Sequence, residues 1–256
     1  MIVSLCIVGV VGNLYSDKKG YNHNQDVDYR IGYEHFKRYL FETNPDIKFD
    51  THIFSWSTKY KDEIIETYKP VSHCFTPQIE FNQNTKRLDY TLSRWFATSQ
   101  VIKQKMFYES SKNIQYDWVI LTRFDWALKK PMILASYDQS KFYATHDLEH
   151  NPVTSKQVCP CYYSDRFLDY AFWSNTDNMN KFSLLVNHWQ QYNIFNAHRE
   201  SFHHANQMGL DIAYDLTESV DHDLVRAIYE DCHYQGINYP GIDKLKQFNK
   251  YPRERF

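Results

Sequence analysis

The residues best suited to chemistry in this chain are a cation and a carboxylate that follow a short apolar run. The run spans Trp118 to Leu121, and Arg123 and Asp125 come directly after it. Residues two apart on an extended backbone point to the same side, so both side chains would project from the carboxyl end of a core strand. A carboxylate there can bind a divalent metal, and an arginine can meet phosphate in a forked contact. These groups suit a nucleotide diphosphate; the alternative is a surface ion pair that contributes little.

A second set of candidate phosphate ligands lies at the start of a predicted helix. The stretch from Ser93 to Glu109 carries Trp95 and Ile102 at helical spacing. The first turn of a helix has free N–H groups and a partial positive charge, which favour an anion nearby. We therefore expect Ser93 and Arg94 to help hold phosphate, while Trp95 is assigned to the core.

The order of strand and helix patterns predicts an α/β protein of three layers with a mostly parallel central sheet. Predicted strands are Ile2 to Val10, Phe49 to Trp56, Trp118 to Leu121, Lys141 to Thr145 and Asp169 to Ser174, with Phe75 to Phe81 as a third strand or an extended connection. Predicted helices cover Tyr29 to Leu40, Lys61 to Tyr68, Ser93 to Glu109, a segment capped by Asp177, and Glu200 to Met208. Gly9 lies near the end of the first strand, where the backbone turns sharply or approaches a ligand closely. We expect a single domain over residues 1–256.

Composition excludes several classes of partner. The formal net charge is -2 and the sequence pI is about 6.6, so neither nucleic acid nor an anionic membrane is an expected partner. Only 7 glycines are present, and no P-loop or dinucleotide fingerprint occurs. The apolar start, Ile2 to Val11, is too short to span a bilayer. Five cysteines without a disulfide-framework spacing, and no Asn-x-Ser/Thr acceptor, predict a cytoplasmic protein.

Several segments, taken in order, resemble one family. They are the strand Phe49 to Trp56, the triplet Tyr68 to Pro70, the helix start Ser93 to Ser99, the stretch Tyr116 to Asp125, the block Asp169 to Ser174 with Met179 to Phe182, and the helix Glu200 to Leu210. The set is similar to GT-A-type nucleotide-sugar glycosyltransferases of bacterial polysaccharide clusters and large DNA viruses. The resemblance covers roughly residues 1–215, and residues 216–256 are interpreted as a C-terminal extension packing on the core.

The resemblance implies a GT-A-like, Rossmann-related fold and transfer of a sugar from a nucleotide-sugar donor to a glycan, a glycoprotein or another hydroxyl acceptor. It also implies a divalent metal, Mn²⁺ or Mg²⁺. Asp125 is then the metal ligand or the ribose–diphosphate contact, and Arg123 orients Asp125 or touches phosphate. The family resembled shows Arg-x-Asp where many glycosyltransferases have Asp-x-Asp, so only one acidic metal ligand is evident here. His222 or His233 is a candidate for an additional metal contact.

Two carboxylates are candidates for catalysis on the same grounds. An acceptor hydroxyl is a poor nucleophile, so an inverting enzyme needs a carboxylate base. Asp169 is the first candidate because it matches the family block and precedes an apolar run, although it could instead cap a turn. Glu200 is the second, as base or as a ligand of sugar hydroxyls, with a solvated helix position as its alternative. Trp56 is either a base-stacking residue or a buried aromatic.

Two other functions remain open from the sequence. A non-catalytic carbohydrate-binding module on the same fold would keep the aromatic residues but would not turn over a donor. A metal-dependent hydrolase or nucleotidyltransferase would use the His/Asp clusters, provided that ligands from separate segments converge.

Overall fold

A seven-stranded mixed sheet forms the centre of the computed structural model, in the order β3-β2-β1-β4-β7-β6-β8. The structure describes residues 1–11, 29–81, 86–146, 166–192, 197–217 and 221–225. The strands are β1 Ile2–Gly9, β2 Lys48–Ser55, β3 Ser72–Phe75, β4 Trp118–Arg123, β6 Phe142–His146, β7 Leu168–Ser174 and β8 Ile212–Thr217. β1 to β4 are parallel, β7 runs antiparallel to both of its neighbours, and β8 is parallel to β6. A separate short pair joins β5 Trp126–Leu128 to β9 His222–Leu224.

Helices cover both faces of the sheet. They are α1 Tyr29–Phe36, which continues as a π-helical turn over Lys37–Phe41, then α2 Lys61–Tyr68, α3 Lys86–Lys112, α4 Thr176–Phe182, α5 Leu185–His188 and α6 Ala197–Gln207. The side chains of β1 alternate between two hydrophobic cores, one on each face of the sheet, because successive side chains of a strand point to opposite faces. Leu5 and Ile7 pack with α1 and α2, whereas Cys6 and Val8 pack with α3, α4 and α6. The predicted three-layer α/β architecture with a mostly parallel sheet is confirmed.

The third strand is Ser72–Phe75, which pairs with β2, and the residues after it, up to Phe81, belong to no strand or helix. Of the two predictions for Phe75 to Phe81, the connection and not the strand is therefore found. Two other local predictions were wrong. Helix α3 begins at Lys86 rather than at Ser93, since Leu88 and Leu92 extend its buried stripe toward the N-terminus. Helix α4 is capped by Asn175 rather than by Asp177, and the Asn175 side chain accepts from the N–H of Asn178 at 2.9 Å.

Helix α1 touches the turn after β4 at a glycine. A Cβ atom added at Gly32 would overlap the backbone carbonyl oxygen of Phe124 and would lie 3.4 Å from that of Trp126. Only a residue without a side chain permits this approach. Because Phe124 stands between Arg123 and Asp125, the packing of α1 fixes the segment that the sequence singles out for chemistry.

Some of the sequence predictions concern residues that the structure does not describe. Residues 226–256, with His233, and the predicted loop over 151–165 lie outside the described residues. Of the expected C-terminal extension, the described part contains the end of β8 and the whole of β9, where His222 is buried. None of the helices in the described ranges combines the length and the apolarity needed to cross a membrane.

Candidate functional site

The candidate site lies at the carboxyl edge of the sheet, where the chain changes direction between β1 and β4. From β1 the chain continues to β2 and β3 on one side and then returns to β4 on the other. Open α/β sheets bind ligands in the crevice at such a point. Val8 pairs with Arg123, so the ends of β1 and β4 are adjacent. Gly9 follows at φ +120, accepts hydrogen bonds from the Trp56 N–H and the Ser55 hydroxyl, and has open space where a Cβ would stand.

Arg123 and Asp125 lie close together, as predicted, although Asp125 lies in the turn after β4 and not on the extended strand that the spacing argument assumed. Arg123 Nε donates to Asp125 Oδ1 at 2.7 Å, and Nη2 donates to Oδ2 at 2.6 Å, which makes a bidentate fork. The Arg123 side chain is 23% exposed and that of Asp125 is 6% exposed. The backbone of Asp125 is also fixed, because its carbonyl accepts from the Val225 N–H at 2.6 Å. Charge-assisted forks of this kind are geometrically specific, unlike an ordinary surface pair.

Asp169 enters the same edge from the antiparallel strand. The amino end of β7 lies beside the carboxyl end of β4, because Leu121 pairs with Phe172 in antiparallel register. His198, in the first turn of α6, places Nδ1 3.1 Å from Asp169 Oδ1. Arg94 of α3 donates from Nη2 to the Asp169 backbone carbonyl at 2.8 Å, and its Nε lies 3.7 Å from Asp169 Oδ2. Strand β7 and helices α3 and α6 therefore converge on one carboxylate.

The ring nitrogen of His198 has two competing partners. Nδ1 lies 3.1 Å from the Asp169 backbone N–H as well as 3.1 Å from its carboxylate oxygen. It can accept from the first only when it carries no proton, and it donates to the second when it does. Burial alone would lower the pKa of His198, but the Asp169 carboxylate outweighs burial and raises the pKa above its ordinary value. Raising the pKa favours the donating, cationic form.

Charges in this group compensate one another. Burial would raise the pKa of Asp169, but His198 and the guanidinium groups of Arg123 and Arg94 hold it far below its usual range. Burial lowers the pKa of Arg94 to about 10, and Asp169 opposes that shift, so Arg94 stays charged at neutral pH. For Arg123, Asp125 and Asp169 outweigh burial and raise the pKa. We call Arg94, Arg123, Asp125, Asp169 and His198 the arginine–histidine cluster.

Tyr170 adds an aromatic face to the cluster. The guanidinium carbon of Arg123 lies 5.8 Å from the centre of the Tyr170 ring, and the His198 ring lies 6.0 Å from it. The backbone carbonyl of Tyr170 accepts from the Thr122 hydroxyl at 3.2 Å, which ties β7 to β4. A half-buried tyrosine beside a guanidinium restricts the directions in which the cation can point.

Ser93 does not lie at a helix end, and Glu200 does not occupy a solvated helix position. Ser93 is within α3, seven residues after its start, and accepts from Gln78 Nε2 at 3.1 Å. Its backbone N–H is therefore not one of the free groups of a first turn. Glu200 is fully buried, and its Oε2 accepts from Trp95 Nε1 at 3.3 Å across the contact between α3 and α6. The catalytic roles of Asp169 and Glu200 remain predictions.

Two further candidates are buried. Trp56 is 3% exposed and stacks on Phe96 with ring centroids 5.7 Å apart, so it belongs to the core. His222 is fully buried, its Nε2 lies 3.1 Å from the Leu216 carbonyl, and its ring lies 6.1 Å from that of Tyr170. Burial lowers the pKa of His222 to about 3, so the ring is neutral.

The sequence did not single out His198 or Gly32. His198 stands two residues before Glu200, and nothing in its local pattern indicates that it faces Asp169. That contact depends on how α6 packs against β7. For Gly32 the scarcity of glycine was a usable signal, since a lone glycine inside a helical pattern often marks close packing.

The cluster does not fit a divalent metal ion as it stands. Both oxygens of Asp125 are engaged by Arg123, and Asp169 is flanked by His198 and Arg94. A metal site needs carboxylate oxygens directed at the ion rather than at other cations. Within the described ranges, no group of three or more His, Cys, Asp or Glu side chains is arranged to hold a metal ion.

Comparisons with known proteins give structural likenesses only. Neither the protein-family models nor the curated proteins contain a match. The structure is similar to that of a candidate nucleotide-diphospho-sugar transferase from Desulfovibrio desulfuricans G20, with 12% identity, 95% of this chain and 97% of that chain covered, and a TM-score of 0.45. It is also similar to a glycosyltransferase involved in glycosylation of the major capsid of PBCV-1, with 10% identity, 84% and 82% coverage, and a TM-score of 0.41. At these identities and TM-scores, the likenesses carry no conclusion about function, which rests on the site.

Proposed function

We propose that this protein is a glycosyltransferase that moves a sugar from a nucleotide-sugar donor to a hydroxyl group of a glycan or glycoprotein acceptor. The observation that carries the proposal is the arginine–histidine cluster at the point where the sheet changes direction. The family resemblance of the sequence segments around Arg123, Asp125 and Asp169 supports it. Gly9 supports it too, because no atom of the described residues lies within 4 Å of the place where its Cβ would stand, near Arg123.

The proposed reaction places a specific demand on the site. The bond between the sugar carbon and the diphosphate oxygen breaks, and its electron pair leaves with the nucleoside diphosphate. The acceptor oxygen bonds to that carbon, and its proton passes to a base. Negative charge therefore grows on the departing diphosphate, and fixed cations that face it lower the barrier. Arg123 and Arg94 are the residues that we assign to this role.

The carboxylates have different proposed tasks. Asp125 holds the Arg123 guanidinium in one orientation. Asp169 is the proposed base, and the three cations around it lower its pKa and so weaken it as a proton acceptor. No step is assigned to a metal ion, because the cluster does not fit one.

A thermal-shift screen tests the function. The pure protein is heated with UDP-, GDP-, dTDP- and CMP-sugars, each with EDTA or with Mn²⁺, since binding to the native state raises the apparent Tm. We expect one nucleotide diphosphate sugar to raise Tm selectively, and the CMP-sugar, which has a single phosphate, to raise it less.

Two variants test whether a donor that raises Tm binds at the arginine–histidine cluster. Arg123→Gln with Asp125→Asn removes opposite charges together, so net charge is kept and no lone buried charge is created. Arg38→Gln removes one charge from an exposed position of the π-helical turn. The donor shift should vanish in the double variant and persist in Arg38→Gln. Absence of a shift with every donor in the wild-type protein, with or without Mn²⁺, would refute the proposed function.

A further inference from the structure

The two carboxylates of the arginine–histidine cluster are each committed to a cation of the protein itself. The fork between Arg123 and Asp125 has donor–acceptor distances of 2.7 and 2.6 Å and uses both carboxylate oxygens. Recruiting Asp125 to a divalent ion would break that fork and place the ion next to a guanidinium, where like charges repel. Asp169 has cations on both sides, with His198 at Oδ1 and Arg94 beyond Oδ2.

The two arginines, by contrast, keep hydrogen-bonding capacity outside these pairs. Arginine has five N–H donors, and the fork with Asp125 uses two of those of Arg123. Arg94 is nine-tenths buried, and its Nε has no hydrogen-bond acceptor in reach in the described part of the chain, since Asp169 Oδ2 is 3.7 Å away. The side chains of Arg123 and His198 are 23% and 30% exposed, so solvent reaches the cluster through them.

This arrangement resembles a receptor for an anion more than a holder for a metal. Guanidinium groups match phosphate oxygens in forked geometry, and both arginines of the cluster are charged at neutral pH. Carboxylates that orient such groups reduce the freedom that a ligand would otherwise have to remove.

We infer, on the basis of the proposed function, that Arg94 and Arg123 bind the diphosphate of the donor directly, without a divalent cation bridging it to the protein, and that Asp125 acts as the counter-ion that holds the Arg123 guanidinium in place. Asp125 is then a positioning residue for Arg123 rather than a metal ligand. The ligand class is a pyrophosphate ester, and inorganic pyrophosphate is its simplest probe.

Two measurements on the full chain test the inference. Calorimetric titration with inorganic pyrophosphate, in EDTA and separately in Mg²⁺, reports whether the anion needs a metal. Electron paramagnetic resonance of Mn²⁺ added to the wild-type protein without pyrophosphate reports whether the protein binds the ion. We expect pyrophosphate to bind in EDTA at least as tightly as in Mg²⁺, and the signal of free Mn²⁺ to stay undiminished.

Variants test whether pyrophosphate binds at the arginine–histidine cluster. Arg123→Gln with Asp125→Asn should weaken pyrophosphate binding in EDTA by about 10- to 100-fold, since a hydrogen bond to a charged group is lost. Arg38→Gln should leave it unchanged. If the double variant fails to fold, which an unfolding curve shows, Arg123→Lys keeps the charge, loses the fork and should weaken binding about tenfold.

The possible results separate the inference from the proposed function. Pyrophosphate binding that appears only with Mg²⁺, or Mn²⁺ that is bound by the wild-type protein and released by Asp125→Asn, would overturn the inference and leave the glycosyltransferase proposal standing. Absence of binding by pyrophosphate and by every nucleoside diphosphate, in EDTA and in Mg²⁺ alike, would overturn both. Binding in EDTA that survives the double variant would place the anion site elsewhere and overturn the inference.

Discussion

Replacing Gly32 by alanine should disturb the packing of α1 against the turn that follows β4 and holds Asp125 of the candidate site. The added methyl group would overlap the carbonyl oxygen of Phe124, which is backbone and cannot rotate away. Alanine gains about 1 kcal/mol over glycine inside a helix. Overpacking against a fixed group costs about 1–3 kcal/mol. The steric cost exceeds the gain in helix propensity. We therefore expect the free energy of unfolding to fall by about 1 kcal/mol, and Tm by roughly 2–4 °C for a chain of this size.

The effect on binding is more diagnostic than the effect on stability. Separating α1 from the turn moves Phe124, and with it Arg123 and Asp125 on either side. Pyrophosphate affinity measured by calorimetry should therefore fall in Gly32→Ala. Gly209→Ala is the matched control: it adds a methyl group at φ +67, with open space around it, after the end of α6. It should lose about 1 kcal/mol through backbone strain alone and bind pyrophosphate as the wild type does. An unchanged or raised Tm with normal affinity in Gly32→Ala would refute the packing argument.

Three other predictions follow from buried or paired groups. Lys105 is fully buried and contacts Glu109 at 2.9 Å, so Lys105→Met should cost about 3–5 kcal/mol in denaturant unfolding, and adding Glu109→Gln should recover part of the loss. Glu200→Ala should cost about 1–3 kcal/mol because it leaves Trp95 Nε1 buried without its acceptor, whereas Glu200→Gln keeps an acceptor and should unfold near the wild-type midpoint. Because its carboxylate partner raises the pKa of His198 above 6.5, the pair stabilises the fold below that pH, and this stabilisation is lost as pH rises through the raised pKa. The difference in unfolding free energy between wild type and His198→Gln should therefore be larger at about pH 5.5 than at about pH 9, and a difference independent of pH would contradict the pairing.

The sequence predicted the parts of the fold that local pattern controls. The β-branched and apolar runs of β1, β2 and β4 are long enough to be recognised. Arg123 and Asp125 lie close together as predicted, but Asp125 lies in the turn after β4, so the turn and not strand alternation brings the two side chains together. Errors occurred where a local signal was ambiguous. Ser93 is a good N-cap residue type, but α3 begins seven residues before it and its buried stripe reaches back to Leu88, so packing decided the helix start.

The remainder depends on contacts between distant segments. Strands β5, β8 and β9 were not predicted, because β8 is a half-exposed edge strand and the other two are three residues long. The pairing of Asp169 with His198 and Arg94 requires β7 to run antiparallel and α6 to pack on it. The spacing of apolar residues along the chain carries no information about that arrangement. The sequence pattern therefore indicated which strand end holds the candidate site, but not that His198 and Arg94 lie beside Asp169.

The most direct test of the account is a crystal structure of the protein with the nucleoside diphosphate that gives the largest thermal shift, grown in EDTA. In that structure the diphosphate should lie at the carboxyl edge between β1 and β4. Its phosphate oxygens should be within hydrogen-bond distance of the Arg123 guanidinium, with no cation between them. A diphosphate bound elsewhere on the molecule, with the fork of Arg123 and Asp125 facing only solvent, would contradict it.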